Sequence, residues 1–352
     1  MGPKRYTTDP DSAVNRPPGE NEGSAELGSA SEMRHEINAS KGSLHNVGGL
    51  EENPLWERGA AFVDGEFCPI DEARISVLDL GVTRGDCTYD VVHVWDGKFF
   101  RLDAHLDRFT ANMRRLRLDP GVDRPAIEEV LHGCVRRAGL RSAYVSMTCT
   151  RGCLPQGSRD LRTAQNSFYC YAVPFVWIAT PEQQTTTGVG LWISEIPRIP
   201  PDSVDPLVKN YHWLDMDMAL FGAYDHGVQL VVLRDQAGGV TEGPGFNVFA
   251  LVRGAWRTPA GGTLHGITRR TAIELMREAG AAVEEGPLPA GDVRRADEVL
   301  VTSTAGGVIP VTAVDGRPVG AGKPGPRTIE LRERYWARHA DPAFTTPVRY
   351  DG

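Results

Sequence analysis

Lysine is scarce in this sequence: of 38 basic side chains only five are lysine, at positions 4, 41, 98, 209 and 323. Cysteine is sparse as well, and none of the six (Cys68, Cys87, Cys134, Cys149, Cys153, Cys170) forms a C-x-x-C pair. That pattern argues against a zinc ribbon or a dithiol redox centre, and the cysteines read as reduced and structural. Cys149 with Cys153, and His105 alone, lack a second half-site of ligands, so no metal is expected. Long apolar runs are missing too. The longest, 169–180, is interrupted by Pro174 and falls well short of the about 20 residues a bilayer span requires. The N-terminal MGPKRYTTDPDS offers no apolar h-region, so no signal peptide is expected and a cytoplasmic location is. An excess of basic charge is lacking: 46 acidic against 38 basic residues leave a net charge of −8, which argues against a nucleic-acid or anionic-membrane partner and favours a small molecule.

What is present suits a globular protein of more than one domain: 352 residues, 41% hydrophobic and 24% charged. Residues 1–47 are rich in Gly, Ser, Pro, Asn and Glu with little to bury, and are expected to be a disordered arm. From Ala60 onward the pattern changes. Asp64-Gly65 and Asp96-Gly97, each flanked by β-prone residues, are two-residue hairpin signals. Residues 105–118 carry Leu106, Phe109, Met113 and Leu116 at helical spacing, and 125–138 repeats the period. The runs 143–150 and 167–179 read as strands, so the first domain, 48–179, is expected to be α+β. The Pro-containing stretch 180–187 is the expected linker to a second domain, 188–352. There, 189–193, 228–233, 248–252 and 298–302 read as strands and 213–224 and 269–279 as helices.

Lys209 is the lysine without a dull explanation. Lys4 and Lys41 lie in the polar arm, Lys98 follows a hairpin Asp-Gly, and Lys323 sits in a Gly/Pro loop, whereas Lys209 joins an irregular segment to an apolar helix. Schiff-base chemistry demands a primary amine, which arginine cannot supply. An ordinary exposed lysine before a helix is the competing reading. Glu242, followed by Gly243-Pro244-Gly245-Phe246-Asn247, pairs a carboxylate with a glycine turn that lets backbone approach a flat ligand; it suits a protonated pyridine nitrogen, or an ordinary turn. Leu264-His265-Gly266-Ile267-Thr268-Arg269 runs into a helix, and Thr302-Ser303-Thr304-Ala305-Gly306-Gly307 follows a strand. Both offer hydroxyls and free N–H groups to an anion, with Thr268 read as helix cap, phosphate ligand or both.

Taken together and in this order, Lys209-Asn210, Glu242-Gly-x-Gly-Phe246-Asn247, Gly266-Ile267-Thr268-Arg269 and Thr304-Ala305-Gly306-Gly307 resemble the fold-type IV enzymes of pyridoxal 5′-phosphate (PLP), the branched-chain and D-amino-acid aminotransferase family. His105-Leu106-Asp107-Arg108-Phe109 is similar to the family's phosphate-binding helix. The resemblance runs from about Ala60 to the C-terminus. It implies a small α+β N-terminal domain, a larger C-terminal domain with a β-barrel-like core, and a homodimer with the site at its interface. Lys209 is implied as the Schiff-base lysine and proton carrier and Glu242 as the partner of the pyridine nitrogen. Arg108, Ile267, Thr268 and Thr304 are implied around the phosphate, and Phe246, Asn247 and Ser303 beside the cofactor.

Within the family, Glu72-Ala73-Arg74-Ile75-Ser76, Thr88-Tyr89-Asp90-Val91, His93-Val94-Trp95-Asp96-Gly97 and Asp205-Pro206-Leu207-Val208 most resemble the (R)-selective amine transaminases. That likeness implies transfer of an amino group from a primary amine to a keto acid such as pyruvate. Substrate contacts are implied at Tyr89, Val91, His93, Tyr144, Trp213 and Ala305. Arg159, with Arg162 next, is the expected arginine for the keto-acid carboxylate, and Arg84, where relatives often carry histidine or tyrosine, is a further candidate. A branched-chain or D-amino-acid aminotransferase is the alternative, and an aminodeoxychorismate-type lyase the next.

Overall fold

The computed structural model describes residues 56–351; the expected arm, 1–47, lies outside them. The described chain begins with the hairpin β1 (Ala60–Val63) and β2 (Glu66–Pro69) and a short helix α1 (Leu80–Arg84). Strands β3 (Cys87–Trp95) and β4 (Lys98–Phe100), helices α2 (Leu102–Leu116) and α3 (Arg124–Arg137), and strands β5 (Ala143–Cys153) and β6 (Gln165–Pro174) follow. Both expected Asp-Gly hairpins form. Asp64 and Gly65 take φ of 52° and 85°, Asp96 and Gly97 47° and 73°, the paired left-handed conformations whose twist matches two antiparallel strands. One face of this sheet carries Val92, Val94, Val145 and Met147 against Leu106 and Phe109 of α2 and Leu131 of α3. The helical spacing read in the sequence is thus the packing stripe.

The second half supplies β7 (Val189–Pro197), α4 (Leu214–Asp225), β8 (Leu230–Arg234), β9 (Glu242–Gly243), β10 (Phe246–Val252), β11 (Ala255–Thr258), α5 (Ile267–Glu278) and β12 (Val283–Glu285). It continues with α6 (Ala290–Arg294), β13 (Glu298–Ser303), β14 (Gly307–Val314), β15 (Arg317–Pro318), α7 (Pro326–Ala337) and β16 (Thr345–Pro347). The strands form a mixed sheet in the order β12-β11-β10-β13-β14-β7-β8, with β15 on β14 and β9 on β10. The sheet curls back on itself. The N–H of Thr241, just before β9, donates to the Leu233 carbonyl of β8 at 2.9 Å, so β8 reaches β10 through β9. Gly243 permits that approach, because a Cβ there would lie 2.2 Å from the Val231 carbonyl oxygen. Leu191, Val232, Val248, Val301 and Ile309 fill the inner face, while Phe249, Leu300 and Val308 meet α5 and α7 outside. Strands covered on both faces read as unbroken apolar runs.

The first sheet, all antiparallel, runs β16-β4-β3-β5-β6-β1-β2. Its outermost member on one side is the C-terminal strand β16, paired with β4, so the segment 188–352 contributes to both sheets. The run expected as a strand over 167–179 stops pairing at Pro174. Beyond it Phe175 and Trp177 meet Trp95 edge-on and Trp177 packs tilted on Trp336, and Val176 and Ile178 face a cavity. The expected linker 180–187 holds a single π-helical turn, Gln183–Thr187.

Candidate active site

Between the two sheets lies a cavity of about 320 Å³ whose wall includes Lys209, Glu242, Arg108, Thr268 and Thr304. Residues far apart in the chain meet there for local reasons. Lys209 is pinned to β3: its carbonyl accepts the Tyr89 N–H at 3.1 Å and the Thr88 hydroxyl at 2.8 Å. The amine stands 4.3 Å above the Tyr89 ring, which stacks on Tyr211 at 4.1 Å. Burial, with help from Arg108 and against Asp90 and Glu242, lowers the Lys209 amine from 10.5 to about 8, so an appreciable fraction is neutral and nucleophilic near pH 8.

Arg108 projects from α2 and is aimed by a buried carboxylate. Its Nε and Nη2 donate to the two oxygens of Asp90 at 2.7 and 2.8 Å, and Nη1 donates to the His265 carbonyl at 3.2 Å. His105 Nδ1 lies 2.7 Å from Asp90. Burial alone would raise the Asp90 carboxyl, but Arg108 and His105 overcome it and hold the group well below the usual carboxylate range. Asp90 is fully buried and occupies the helix-facing side of β3, opposite Tyr89 and Val91. Nothing in the sequence reading singled it out; the signal was a charge set in an apolar strand.

Glu242 is gripped from three sides. Its Oε2 accepts the Leu264 N–H at 2.8 Å and the Thr263 hydroxyl at 3.1 Å, and its Oε1 accepts from Arg198 Nε at 3.2 Å. Burial pushes the carboxyl up, and these partners oppose it. Arg198, a second residue the sequence did not disclose, lies in an irregular proline-bounded segment with no periodicity to mark it. Asn247 fixes the next turn by donating to the Thr263 hydroxyl and the Leu264 carbonyl, both at 2.8 Å.

Helix α5 points its N-terminus at the cavity. Its N-cap is Gly266, without a side-chain cap, so the expectation of Thr268 as cap is corrected: Thr268 lies inside the first turn. The uncapped N–H groups there are free to meet an anion. A Cβ on residue 266 would lie 2.2 Å from Asn247 Oδ1, which explains the glycine. Across the cavity, Ser303 shapes the second turn by donating to the Gly245 carbonyl at 2.8 Å and accepting the Ala305 N–H at 3.2 Å. The Thr302 hydroxyl is buried in the cavity wall without a partner.

Of the remaining expected residues, Tyr89, Val91, Tyr144, Trp213, Phe246, Asn247, Ile267, Ser303 and Ala305 all line the cavity. His93 does not. Strand alternation puts it on the face of Tyr89 and Val91, but further along, where its Nε2 lies 2.7 Å from His339 Nε2 in a buried aromatic cluster. Arg84, Arg159 and Arg162 are exposed and stand outside the cavity; Arg162 is taken up by Asp160 at 2.6 Å. Among the described residues no group of three or more His, Cys, Asp or Glu side chains could hold a metal ion.

The donor set suits a flat, anionic, nitrogen-containing cofactor. A helix N-terminus with Arg108 and Thr304 accommodates a phosphate, a buried carboxylate suits a ring nitrogen, an orphaned Thr302 hydroxyl awaits a partner, and a lysine of lowered pKa supplies the amine. The comparisons agree. The amino-transferase class IV family model matches residues 88–314. A putative branched-chain-amino-acid aminotransferase of Methanocaldococcus jannaschii is 31% identical over 276 residues, 78% of this chain and 94% of that protein. A D-alanine aminotransferase of Staphylococcus haemolyticus is 28% identical over 78% of this chain and 95% of its own length. The crystal structure of the T.th. branched-chain amino acid aminotransferase with pyridoxamine 5′-phosphate superposes with a TM-score of 0.77, at 28% identity, over 83% of this chain and 99% of that one. Fold, cavity and relatives coincide: the chain belongs to the amino-transferase class IV family and is a PLP-dependent aminotransferase.

Proposed function

We propose that the enzyme transfers an amino group from an uncharged arylalkyl amine of (R) configuration to a keto acid such as pyruvate. One observation carries the choice of amine. Among the described residues the cations lining the cavity are Lys209, Arg108 and Arg198, and both arginines are already paired with buried carboxylates. Apart from the polar groups assigned to the cofactor, the wall carries the aromatic and aliphatic side chains of Tyr89, Val91, Tyr144, Ile178, Trp213 and Met216. Such a wall suits an apolar substituent on the amine. The handedness rests on the motif likeness to (R)-selective enzymes.

When bound, PLP supplies an electron sink for the charge that develops at the substrate carbon. Arg108, the first turn of α5 and Thr304 would hold the phosphate, and Glu242 would keep a proton at the ring nitrogen. Lys209 would supply the amine that binds the cofactor and would move a proton at the reacting carbon; its lowered pKa near 8 suits a base at neutral pH.

A homodimer is part of the proposal. Val77 and Leu78 are 80% and 72% exposed, and Leu214 and Phe221 on α4 are 75% and 63% exposed. Gly85, at the end of α1, lies against His212, two residues before α4. Apolar side chains so exposed are typical of a surface covered by a partner. The six free cysteines fit a reducing compartment, in keeping with a cytoplasmic enzyme.

The names of the relatives favour a second reading, a branched-chain or D-amino-acid aminotransferase. Steady-state rates with (R)-1-phenylethylamine, D-alanine and L-leucine, each against a keto acid, separate them. A preference for either amino acid by tenfold or more (about 1.4 kcal/mol) would displace the amine reading in its favour.

A further inference from the structure

Glu242 belongs to a chain of three charges. The Arg198 guanidinium that donates through Nε to Glu242 at 3.2 Å also donates through Nη1 to both oxygens of Asp215, at 3.1 and 2.9 Å. The three side chains, Glu242, Arg198 and Asp215, are 7%, 9% and 11% exposed, so water screens them little. Asp215 is not part of the cavity wall. It is fixed in the first turn of α4, where its oxygens also accept the N–H groups of Ile199 at 2.8 Å and Met216 at 2.9 Å.

We propose that Asp215 is a positioning residue that sets the proton affinity of Glu242 by engaging part of the charge of Arg198. Every other group facing Glu242 favours its ionised form: the Lys209 amine, the Thr263 hydroxyl and the Leu264 N–H. With Arg198 wholly committed to it as well, Glu242 would be a poor acceptor for a proton shared with the cofactor's ring nitrogen. Asp215 is the counterweight. Through it the first turn of α4, two residues beyond the wall residue Trp213, is electrostatically tied to the cofactor end of the cavity.

A purely mechanical role makes the opposite prediction. If Asp215 only aims Arg198, its removal loosens the Arg198–Glu242 pair and Glu242 becomes a weaker acid, as it does when Arg198 itself is lost. If Asp215 balances charge, its removal turns more of Arg198 toward Glu242 and makes it a stronger acid.

The test is the pH-dependent infrared difference spectrum of the full-length chain freed of cofactor, with the Glu242 carboxyl band identified by its loss in E242Q. D215N is expected to lower the Glu242 pKa by about one unit and R198Q to raise it by at least as much. The acid limb of PLP affinity, read by equilibrium titration with PLP, should move in the same two directions. A D215N shift that is upward or absent overturns the proposal. Should R198Q fail to fold, the D215N direction alone decides, because the two accounts assign it opposite signs.

Discussion

Removing the carboxylate that aims Arg108 into the cavity should cost the fold as well as cofactor binding. In Asp90→Asn the buried partner of Arg108 loses its charge; of the two hydrogen bonds of 2.7 and 2.8 Å from the guanidinium, one loses its acceptor, because an amide NH2 cannot accept, and the other loses its ionic character. Asp90 is 0% exposed and the Arg108 side chain 14%. The penalty is therefore that of a broken buried pair, about 3–5 kcal/mol, rather than the 0–1 kcal/mol typical of a surface bridge. The pH dependence follows from the sign of the shift. Arg108 and His105 hold Asp90 below its value in the unfolded chain, so its stabilisation is fully present above that unfolded value, about 3.9, and is lost as pH falls toward the folded one. Urea denaturation of the cofactor-free protein at neutral pH should show the full deficit of D90N, narrowing at about pH 3. A variant within ~1 kcal/mol of wild type at neutral pH would refute the clamp.

Covalent capture of PLP by the cofactor-free protein should accelerate as pH rises through about 8, the lowered value of Lys209, instead of through 10.5; stopped-flow absorbance reads the midpoint, and one near 10.5 would show that the amine is not desolvated. Gly266→Ala drives a Cβ to within 2.2 Å of Asn247 Oδ1, and a cost of about 1–3 kcal/mol, with weaker PLP binding, is expected from the displaced turn. An unchanged melting temperature and unchanged PLP affinity would count against the tight packing of Gly266 on Asn247. Phe221→Asp should convert a dimer into monomers in light scattering, and a monomeric wild-type enzyme that turns over would remove the interface from the account.

Lys209, Glu242 and the α5 turn were legible because each is a chemical exception: the one lysine without a dull role, a carboxylate beside a glycine turn, a hydroxyl at a helix start. Asp90 and Arg198 were not, because a buried charge announces itself only through its partner, and Arg108 and Glu242 are 18 and 44 residues away. Periodicity placed α2 to α5 close to their observed ends. The helix α7 and the strands β11, β12 and β14 went unread, although Asp315-Gly316 makes the same left-handed pair as the two hairpins that were found, with φ of 50° and 73°. His93 shows the limit of alternation: period two gives the face of a strand but not where the cavity ends. Arg159 came from loop likeness alone, and loop position is set by packing that no periodicity encodes; Arg84, named for departing from its relatives, ends α1.

The measurement that tests the central claim most directly is the absorbance of the purified, PLP-loaded protein as (R)- or (S)-1-phenylethylamine is added and pyruvate follows. Loss of the cofactor's visible band with the (R)-amine alone, and its return with pyruvate, is the expected result. No change with either amine, together with loss of the band on adding D-alanine or L-leucine, would leave the aminotransferase standing and contradict the amine as its substrate.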